Sequence, residues 1–269
     1  NRYCNIWPYD RNRVCLATAA SGENDLDSDY INASHVSAAI QLPEAPAYIV
    51  GQGPLPAAFA SFWWMCWAQH THIILMLTRT MEHGRLKCHV YWPAQVGEAA
   101  TYGVLTVELV EETALPDALP GTHRRLRLRR AGSDESRIVH HIQYTGWPDH
   151  GVPEDPGSVV RLHQYVRQHQ SVRAESASTA AAAGSALLPP PLVIHCSAGC
   201  GRSGVFCVVD TLLAEGQRQL AGRSSSEEAA SPACLGEDQD MIQRLVSLFR
   251  TQRIDMVQTF GQYLLCYEA

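Results

Sequence analysis

Hydrophobic and polar positions change period along the chain, and the changes mark its elements. "DYINASHV", Asp29 to Val36, alternates and predicts a strand after an Asp/Ser-rich turn. Tyr48 to Pro56 predicts a strand broken by glycine and proline. Ala57 to His70 has helical spacing with apolar residues nearly all round, the pattern of a buried helix. Thr71 to Thr78 is a short β-branched apolar run and predicts a buried strand. Leu86 to Pro93 and Tyr102 to Glu112 read as further strands. His123 to Gly132 alternates Arg with Leu and predicts a strand with one wet face. Ser136 to Pro148 reads as a strand ending in a Trp-Pro turn, and Pro156 to Gln170 as a helix with proline in its first turn. Pro191 to His195, "PLVIH", is a short apolar strand, and apolar residues recur at helical spacing from Ser203 to Leu220.

Two stretches break the pattern. Ser171 to Pro191 is rich in Ala and Ser and ends in three prolines; Gly222 to Asp240 is rich in Ser, Glu and Ala. Both are expected to be mobile surface insertions (171–191 and 222–240) in one domain spanning 1–269. Strands first, then helix, strand and helix, predict a single mixed α/β domain.

Composition narrows the classes. Hydrophobic residues make up 46 % and charged residues 18 %, so a sizeable core is expected. A net charge of −6 argues against a general nucleic-acid binder. Nine scattered cysteines without a C-x-x-C pair point to reduced thiols and a cytoplasmic setting. The longest aliphatic run, Ile73 to Leu77, is too short to span a bilayer. The chain begins Asn-Arg-Tyr and stops inside an apolar, helix-like stretch, and it reads as an excised domain.

The most informative stretch is "VIHCSAGCGRSGVF", Val193 to Phe206. It joins a strand to a helix N-terminus, where unpaired N–H groups and the positive dipole end favour an anion. Gly199 and Gly201 let the backbone curl so that successive amides point inward. Arg202 adds a planar fork for two oxygens. Cys196 lies at the base of the cradle, where a thiolate is favoured. An anion pocket with a nucleophile at its base fits cysteine-dependent phosphate-ester hydrolysis. A glycine turn over a buried structural cysteine is the bland alternative. A Walker loop is excluded because its Lys is absent. A Cys–His protease pair is disfavoured because adjacent side chains on a strand diverge.

"HCSAGCGRSG" resembles the H-C-x5-R-S/T signature of protein tyrosine phosphatases, and the likeness runs further. "NRYCNIWPYD" resembles the phosphotyrosine-recognition loop. "DYINAS", "GQGPLP", "RTMEHGRLKCHVYWP", "GWPDHGVP" and "QTFGQY" resemble other family motifs in the family's order. The set is similar to the phosphotyrosine-specific branch over the whole chain apart from the two insertions.

The resemblance implies a twisted mixed central sheet flanked by helices and a phosphate-binding loop between strand and helix. It implies Cys196 as nucleophile, with Arg202 and the loop residues Ser197, Ala198, Gly199, Cys200 and Gly201 around the phosphate. Ser203 would help the sulfur leave, and His195 would orient the loop by bonding backbone near Tyr91. Asp149 would be the general acid and later the base. Gln258 and Gln262 would position the hydrolytic water, although Gln262 could be purely structural. Lys87 and Glu82 resemble the loop that braces the acid loop and the arginine. Tyr3 would wall a pocket too deep for phosphoserine, and Asn5, where many relatives carry Asp, would bond the substrate backbone. Asp255 resembles the gateway of a second phosphate pocket, where relatives that admit a second phosphate carry Gly; Arg250 and Arg253 lie near it, but the bulkier, negative Asp implies weak preference for tandem phosphotyrosines. The implied partners are phosphotyrosine-containing proteins, with no metal and no cofactor. Two alternatives stay open: a phosphotyrosine-binding pseudoenzyme, and a dual-specificity or lipid phosphatase, for which loop lysines would be expected. The arginines Arg124, Arg125, Arg127, Arg129 and Arg130 are read as one solvated face.

Overall fold

The structure is a computed structural model that describes residues 1–17, 26–116, 119–148, 151–178, 190–223 and 240–269. Eleven strands and five helices follow in order: β1 (Arg13–Cys15), β2 (Tyr30–Ser37), β3 (Ala47–Gly51), α1 (Phe59–Ala68), β4 (Ile73–Met76), β5 (Met81–Glu82), β6 (Arg85–Leu86), β7 (Ala99–Tyr102), β8 (Leu105–Ala114), β9 (Gly121–Arg130), β10 (Ser136–Tyr144), α2 (Gly157–Ser178), β11 (Leu192–His195), α3 (Gly201–Arg223), α4 (Met241–Gln252) and α5 (Phe260–Glu268).

Nine strands make one sheet in the order β1-β2-β3-β11-β4-β10-β9-β8-β7. Its centre is parallel, β3 to β11 to β4 to β10, and its flanks are antiparallel. The sheet is therefore mixed, with helices on both faces, as the sequence predicts.

The central strands are apolar on both faces, as parallel strands covered twice must be. Ile73 and Leu75 of β4 and Ile194 of β11 pack into one core with α2, α3, α4 and α5 residues. Ile74 and Met76, with Val193, face the other core with α1. The alternation follows from the two-residue period of a strand. Six consecutive α1 residues, Phe62 to Trp67, are buried, which explains a helix apolar all round.

The structure corrects several readings. The stretch Leu86 to Pro93 is a strand only at its first residue. Its backbone groups are taken up elsewhere: Trp63 Nε1 donates to Tyr91 O at 2.9 Å and the Lys87 and Cys88 amides donate to Thr80 O. Tyr102 to Glu112 is a hairpin; Gly103, at φ +60°, turns the chain between β7 and β8.

Helix α2 runs eight residues past Gln170, to Ser178, into the stretch expected as a loop. Ala, Arg and Glu there favour helix. The rest of that insertion up to residue 189, and 224–239 of the second, lie outside the described residues.

The arginine strand has one wet face, formed by Arg125, Arg127 and Arg129, but Arg124 and Arg130 do not belong to it. Arg124 and Arg130 share strand parity with buried Leu126 and Leu128. Arg124 lies over Trp92 at 4.5 Å and pairs with Glu112 at 2.6 Å; Arg130 lies 5.4 Å from the Trp64 ring centre. Arg125, Arg127 and Arg129 pair with Glu111 and Glu108 of β8.

Candidate active site

Strand β11 delivers His195 and Cys196 to a loop that ends at the first residue of α3, Gly201. The backbone of this loop is turned in one sense. The carbonyls from His195 to Cys200 each accept from a group outside the cradle. Leu77 N–H donates to His195 O at 2.8 Å and Gly53 N–H to Ser197 O at 2.9 Å. His195 Nδ1 bonds Cys196 O at 3.1 Å. Arg253 donates to Ala198 O through Nη2 at 2.9 Å and to Gly199 O through Nε at 2.6 Å. Gly204 and Val257 amides donate to Cys200 O. With the carbonyls held outward, the intervening amides face the cradle, the arrangement an anion needs. Gly199 N–H donates to Cys196 Sγ at 3.3 Å.

Two glycines in the loop are required by contact as well as by rotation. Gly199 has φ +74°, and a Cβ there would lie 2.0 Å from Gly51 O. A Cβ on Gly201 would meet Gln258 Oε1 at 2.9 Å and Gln262 Oε1 at 2.8 Å. Both glutamines predicted from the sequence therefore stand against the start of α3. They also bond each other, Gln258 N–H to Gln262 Oε1 at 3.0 Å.

Cys196 is only 5 % exposed. Burial pushes its thiol up, but the Arg202 charge, the Ser203 hydroxyl and the amides of Ser203 and Cys200 outweigh it, and the thiol is held below its ordinary value. Ser203 is fully buried, and its hydroxyl lies close enough to the Cys196 sulfur to lower the thiol. Cys200, also buried, is pushed up to about 12 by burial and is a packed thiol.

Arg202 is fixed by a bidentate pair with Glu82, Nη1 to Oε1 and Nη2 to Oε2, both at 2.7 Å, and by Leu77 O at 3.0 Å. Both partners are nearly buried, at 4 % and 5 % side-chain exposure. Thr78 Oγ1 and Arg79 N–H also donate to Glu82. Burial works to raise the Glu82 carboxyl, but the Arg202 hydrogen bond and charge leave it below the usual range. The β5–β6 hairpin that carries Glu82 also carries Lys87 at its exit. Lys87 is buried, and its carbonyl accepts from Ser197 Oγ at 2.8 Å.

Ser197 in turn accepts from the Tyr3 hydroxyl at 2.8 Å, which places the half-buried Tyr3 ring beside the cradle. Arg2 ties the same N-terminal segment to the turn after β3, with Nε to Gly53 O at 3.0 Å and Nη2 to Pro54 O at 3.1 Å. Asn5 is exposed.

His195 bonds the Tyr91 side chain and not backbone near Tyr91. Its Nε2 meets the Tyr91 hydroxyl at 2.7 Å, and that hydroxyl meets His141 Nε2 at 2.8 Å. Burial lowers His195 to about 4, so it is neutral. A single directed chain satisfies these groups: His141 Nε2–H to the Tyr91 hydroxyl oxygen, Tyr91 O–H to His195 Nε2, and His195 Nδ1–H to Cys196 O.

Asp149 lies outside the described residues. Its flanks are described: Trp147 Nε1 donates to Gly151 O at 3.0 Å, closing the turn, and Arg79 Nε donates to Thr145 O at 3.0 Å.

The two arginines near Asp255 are engaged with the protein itself. Arg250 is bound to Met256 O and Val257 O, and Arg253 is fully buried beneath the loop. Sequence reasoning missed the supporting roles of Arg253, Arg2, Tyr91 and His141. Only Tyr91 and Arg2 sit inside stretches with a family signature.

Among the described residues, no helix is long and apolar enough to cross a membrane, and the cysteines are unbonded. The family model for protein-tyrosine phosphatases matches residues 1–269. The chain is 37 % identical to Receptor-type tyrosine-protein phosphatase F of Mus musculus over 269 residues, covering 100 % of this chain and 12 % of that protein. It is 35 % identical to Tyrosine-protein phosphatase 1 of Caenorhabditis elegans over 274 residues, covering 100 % of this chain and 22 % of the relative. It is 35 % identical to Tyrosine-protein phosphatase Lar-like of the same organism, covering 100 % of this chain and 10 % of that one. The chain thus spans a minor part of these curated relatives.

Proposed function

The chain belongs to the protein-tyrosine phosphatase family, and from that premise we propose that it hydrolyses phosphotyrosine in proteins through a cysteinyl-phosphate. The observation that carries this reading is the loop in which each carbonyl from His195 to Cys200 is bonded outward while the Gly199 amide reaches Cys196 Sγ.

The Cys196 thiolate attacks phosphorus as the bond to the tyrosyl oxygen breaks. Asp149 gives its proton to the leaving phenol oxygen. The loop amides of Ser197 to Gly201 and the Arg202 guanidinium hold the three equatorial oxygens, where charge spreads in the transition state. Glu82 fixes the plane of that guanidinium. In the second displacement Asp149, now a carboxylate, takes a proton from water oriented by Gln258 and Gln262. Water oxygen bonds phosphorus, the sulfur–phosphorus bond breaks, and Ser203 steadies the returning thiolate. Splitting hydrolysis this way replaces one hard step by two easier ones.

Tyr3 sets the depth. Its hydroxyl is held by Ser197, so its ring stands beside the cradle and offers a face for the substrate ring. Lys87 supports the same wall through its carbonyl, and the exposed Asn5 would bond a substrate backbone. A phosphoserine is too short to reach Cys196 past this wall.

The test is phosphate release from matched phosphotyrosine and phosphoserine peptides, with Cys196→Ser beside the unaltered chain. Release from phosphotyrosine alone, abolished by the substitution, is expected. Binding without release by the unaltered chain would replace this reading with that of a phosphotyrosine-binding module.

A further inference from the structure

We propose that His123, His140 and His169 form a binding site for a zinc-type divalent metal ion, built between β9, β10 and α2. The phosphatase chemistry uses none of the three. One ring nitrogen from each lies within 4.8 Å of the others. His123 Nε2 and His140 Nδ1 are 2.8 Å apart. A tetrahedral ion with bonds of about 2.0–2.1 Å sets its nitrogens about 3.3 Å apart, so small ring movements suffice.

The three come together through ordinary strand and helix periods. On the antiparallel β9–β10 pair, His123 lies opposite Ile142 and His140 opposite Arg125, which makes the two histidines diagonal neighbours on one face. Tyr165 and His169 are one helical turn apart on α2, which covers that face.

The outer partners favour ligation. Metal-bound histidines donate their second ring N–H to an oxygen that fixes the ring. His169 Nδ1 is 2.9 Å from Tyr165 O, and His123 Nδ1 is 2.7 Å from the Tyr165 hydroxyl. One residue thus supplies both oxygens, and it directs Nε2 of His123 and of His169 away from these bonds. The proton shared between His123 Nε2 and His140 Nδ1 relocates on binding: His123 carries its proton on Nδ1 towards Tyr165, and His140 carries its own on Nε2. His123 is buried while His140 and His169 are half-exposed, so the cluster has a route from solvent. Three imidazoles and no thiolate suit Zn2+, Co2+ or Ni2+, with water as the fourth ligand.

The site joins the two elements on either side of the acid loop, since β10 ends at Tyr144 and α2 begins at Gly157. The ion would therefore cross-link the frame from which that loop hangs.

Cobalt(II) titration of the Cys196→Ser chain tests the proposal, because that background removes the reactive thiolate. One equivalent should bind with visible tetrahedral d–d absorption, without thiolate-to-cobalt charge transfer, and be displaced by zinc. His169→Ala and His140→Gln, each added to that background, should weaken binding at least about tenfold, the lower end of what even outer-partner losses cause. His70→Asn, a control at a φ of +52° that Asn tolerates, should bind like the parent. Circular dichroism establishes that each variant is folded. X-ray absorption of the zinc-loaded Cys196→Ser chain gives an answer without touching a histidine, and three imidazoles without sulfur are expected. No binding, sulfur in the shell, or undiminished affinity in both histidine variants would overturn the proposal.

Discussion

Arg253 Nε donates to the carbonyl of Gly199 across 2.6 Å from a side chain with no exposed surface. Its Nη2 reaches Ala198 O and Asn32 Oδ1 at 2.9 Å, and Nη1 reaches Ser34 Oγ at 3.2 Å. One guanidinium thus turns two peptide units of the phosphate cradle and anchors them to β2. The cradle is positive on its inner side because a cation on its outer side binds the carbonyls.

Arg253→Ala is therefore expected to damage both stability and turnover. It leaves several buried acceptors unpaired, each costing about 1–3 kcal/mol. Urea unfolding should show a loss of at least about 2 kcal/mol, and kcat should fall while the variant is still folded. Wild-type turnover in a folded Arg253→Ala chain would show that the cradle holds its shape without this arginine.

Arg202→Lys is expected to be nearly inactive, by about 10²-fold or more, although its charge is kept. An ammonium cannot match the two Glu82 oxygens and a phosphate at once. Glu82→Gln should be milder: the fork keeps its charge but loses one of two matched acceptors, so kcat should fall by about tenfold. Phosphotyrosine-peptide kinetics for both variants check the order. Near wild-type turnover in Arg202→Lys would mean that charge, not the plane of the fork, is what matters.

Much of the cradle was legible because its parts are neighbours in the chain. Cys196, Gly199, Gly201 and Arg202 lie within seven positions, and a strand before them with a helix after them leaves few geometries. Arg253 was not legible in this role, since nothing within its own segment says that it lies under Gly199. A long-range burial decides it. Arg124 was misread for a similar reason. The Arg-Leu alternation identifies the strand, but Arg124 shares the face of Leu126 and is accommodated there only because Trp92 and Glu112 arrive from elsewhere. Helix α4 carried a clear signal that went unread: Ile242, Leu245, Val246 and Phe249 follow the helical period, and Asp240 caps the helix by accepting from Gln243 N–H.

Asp149→Ala should lower turnover by about 10²-fold or more with peptide affinity kept, the loss typical of a missing general acid. The Trp147 Nε1 to Gly151 O bond involves no atom of Asp149, so a structural collapse is not expected. Stopped-flow turnover of Asp149→Ala, and peptide titration of Asp149→Ala combined with Cys196→Ser, separate the two effects. Unchanged turnover would remove Asp149 from the mechanism.

The thiols should separate sharply by reactivity. Cys196 is held below its ordinary value by Arg202 and Ser203 against the upward push of burial, whereas burial pushes Cys88, Cys200 and Cys266 up to about 12. Iodoacetamide at neutral pH should label Cys196 well before these three. Brief peroxide should convert the Cys196 thiolate to the sulfenic acid, which condenses with the Ser197 backbone nitrogen, releasing water, and is recovered by dithiothreitol. A Cys196–Cys200 disulfide is not expected, because Cys200 is a buried thiol bonded to Ala198 O at 3.7 Å. Peptide mapping by mass spectrometry distinguishes the two products.

The frame behind the cradle carries its own acid sensitivity. Asp210 of α3 is fully buried and accepts from His163 Nδ1 at 2.7 Å, from Tyr48 at 2.6 Å and from Arg167 through two nitrogens. These partners join α2, α3 and β3. Burial works to raise the carboxyl, but the His163 hydrogen bond and the Arg167 charge outweigh it, and the folded value is depressed. A depressed carboxyl stabilises the fold above the unfolded value of about 3.9, and that contribution fades as pH falls through the folded value. Asp210→Asn should therefore remove part of the stability seen at pH 7 and flatten its acid dependence. Asp210→Ala should cost more, about 3–5 kcal/mol, because it strands the buried end of Arg167. Thermal melting between pH 7 and 3 checks both. An Asp210→Asn chain that loses stability on acidification as steeply as the parent would place the acid-sensitive group elsewhere.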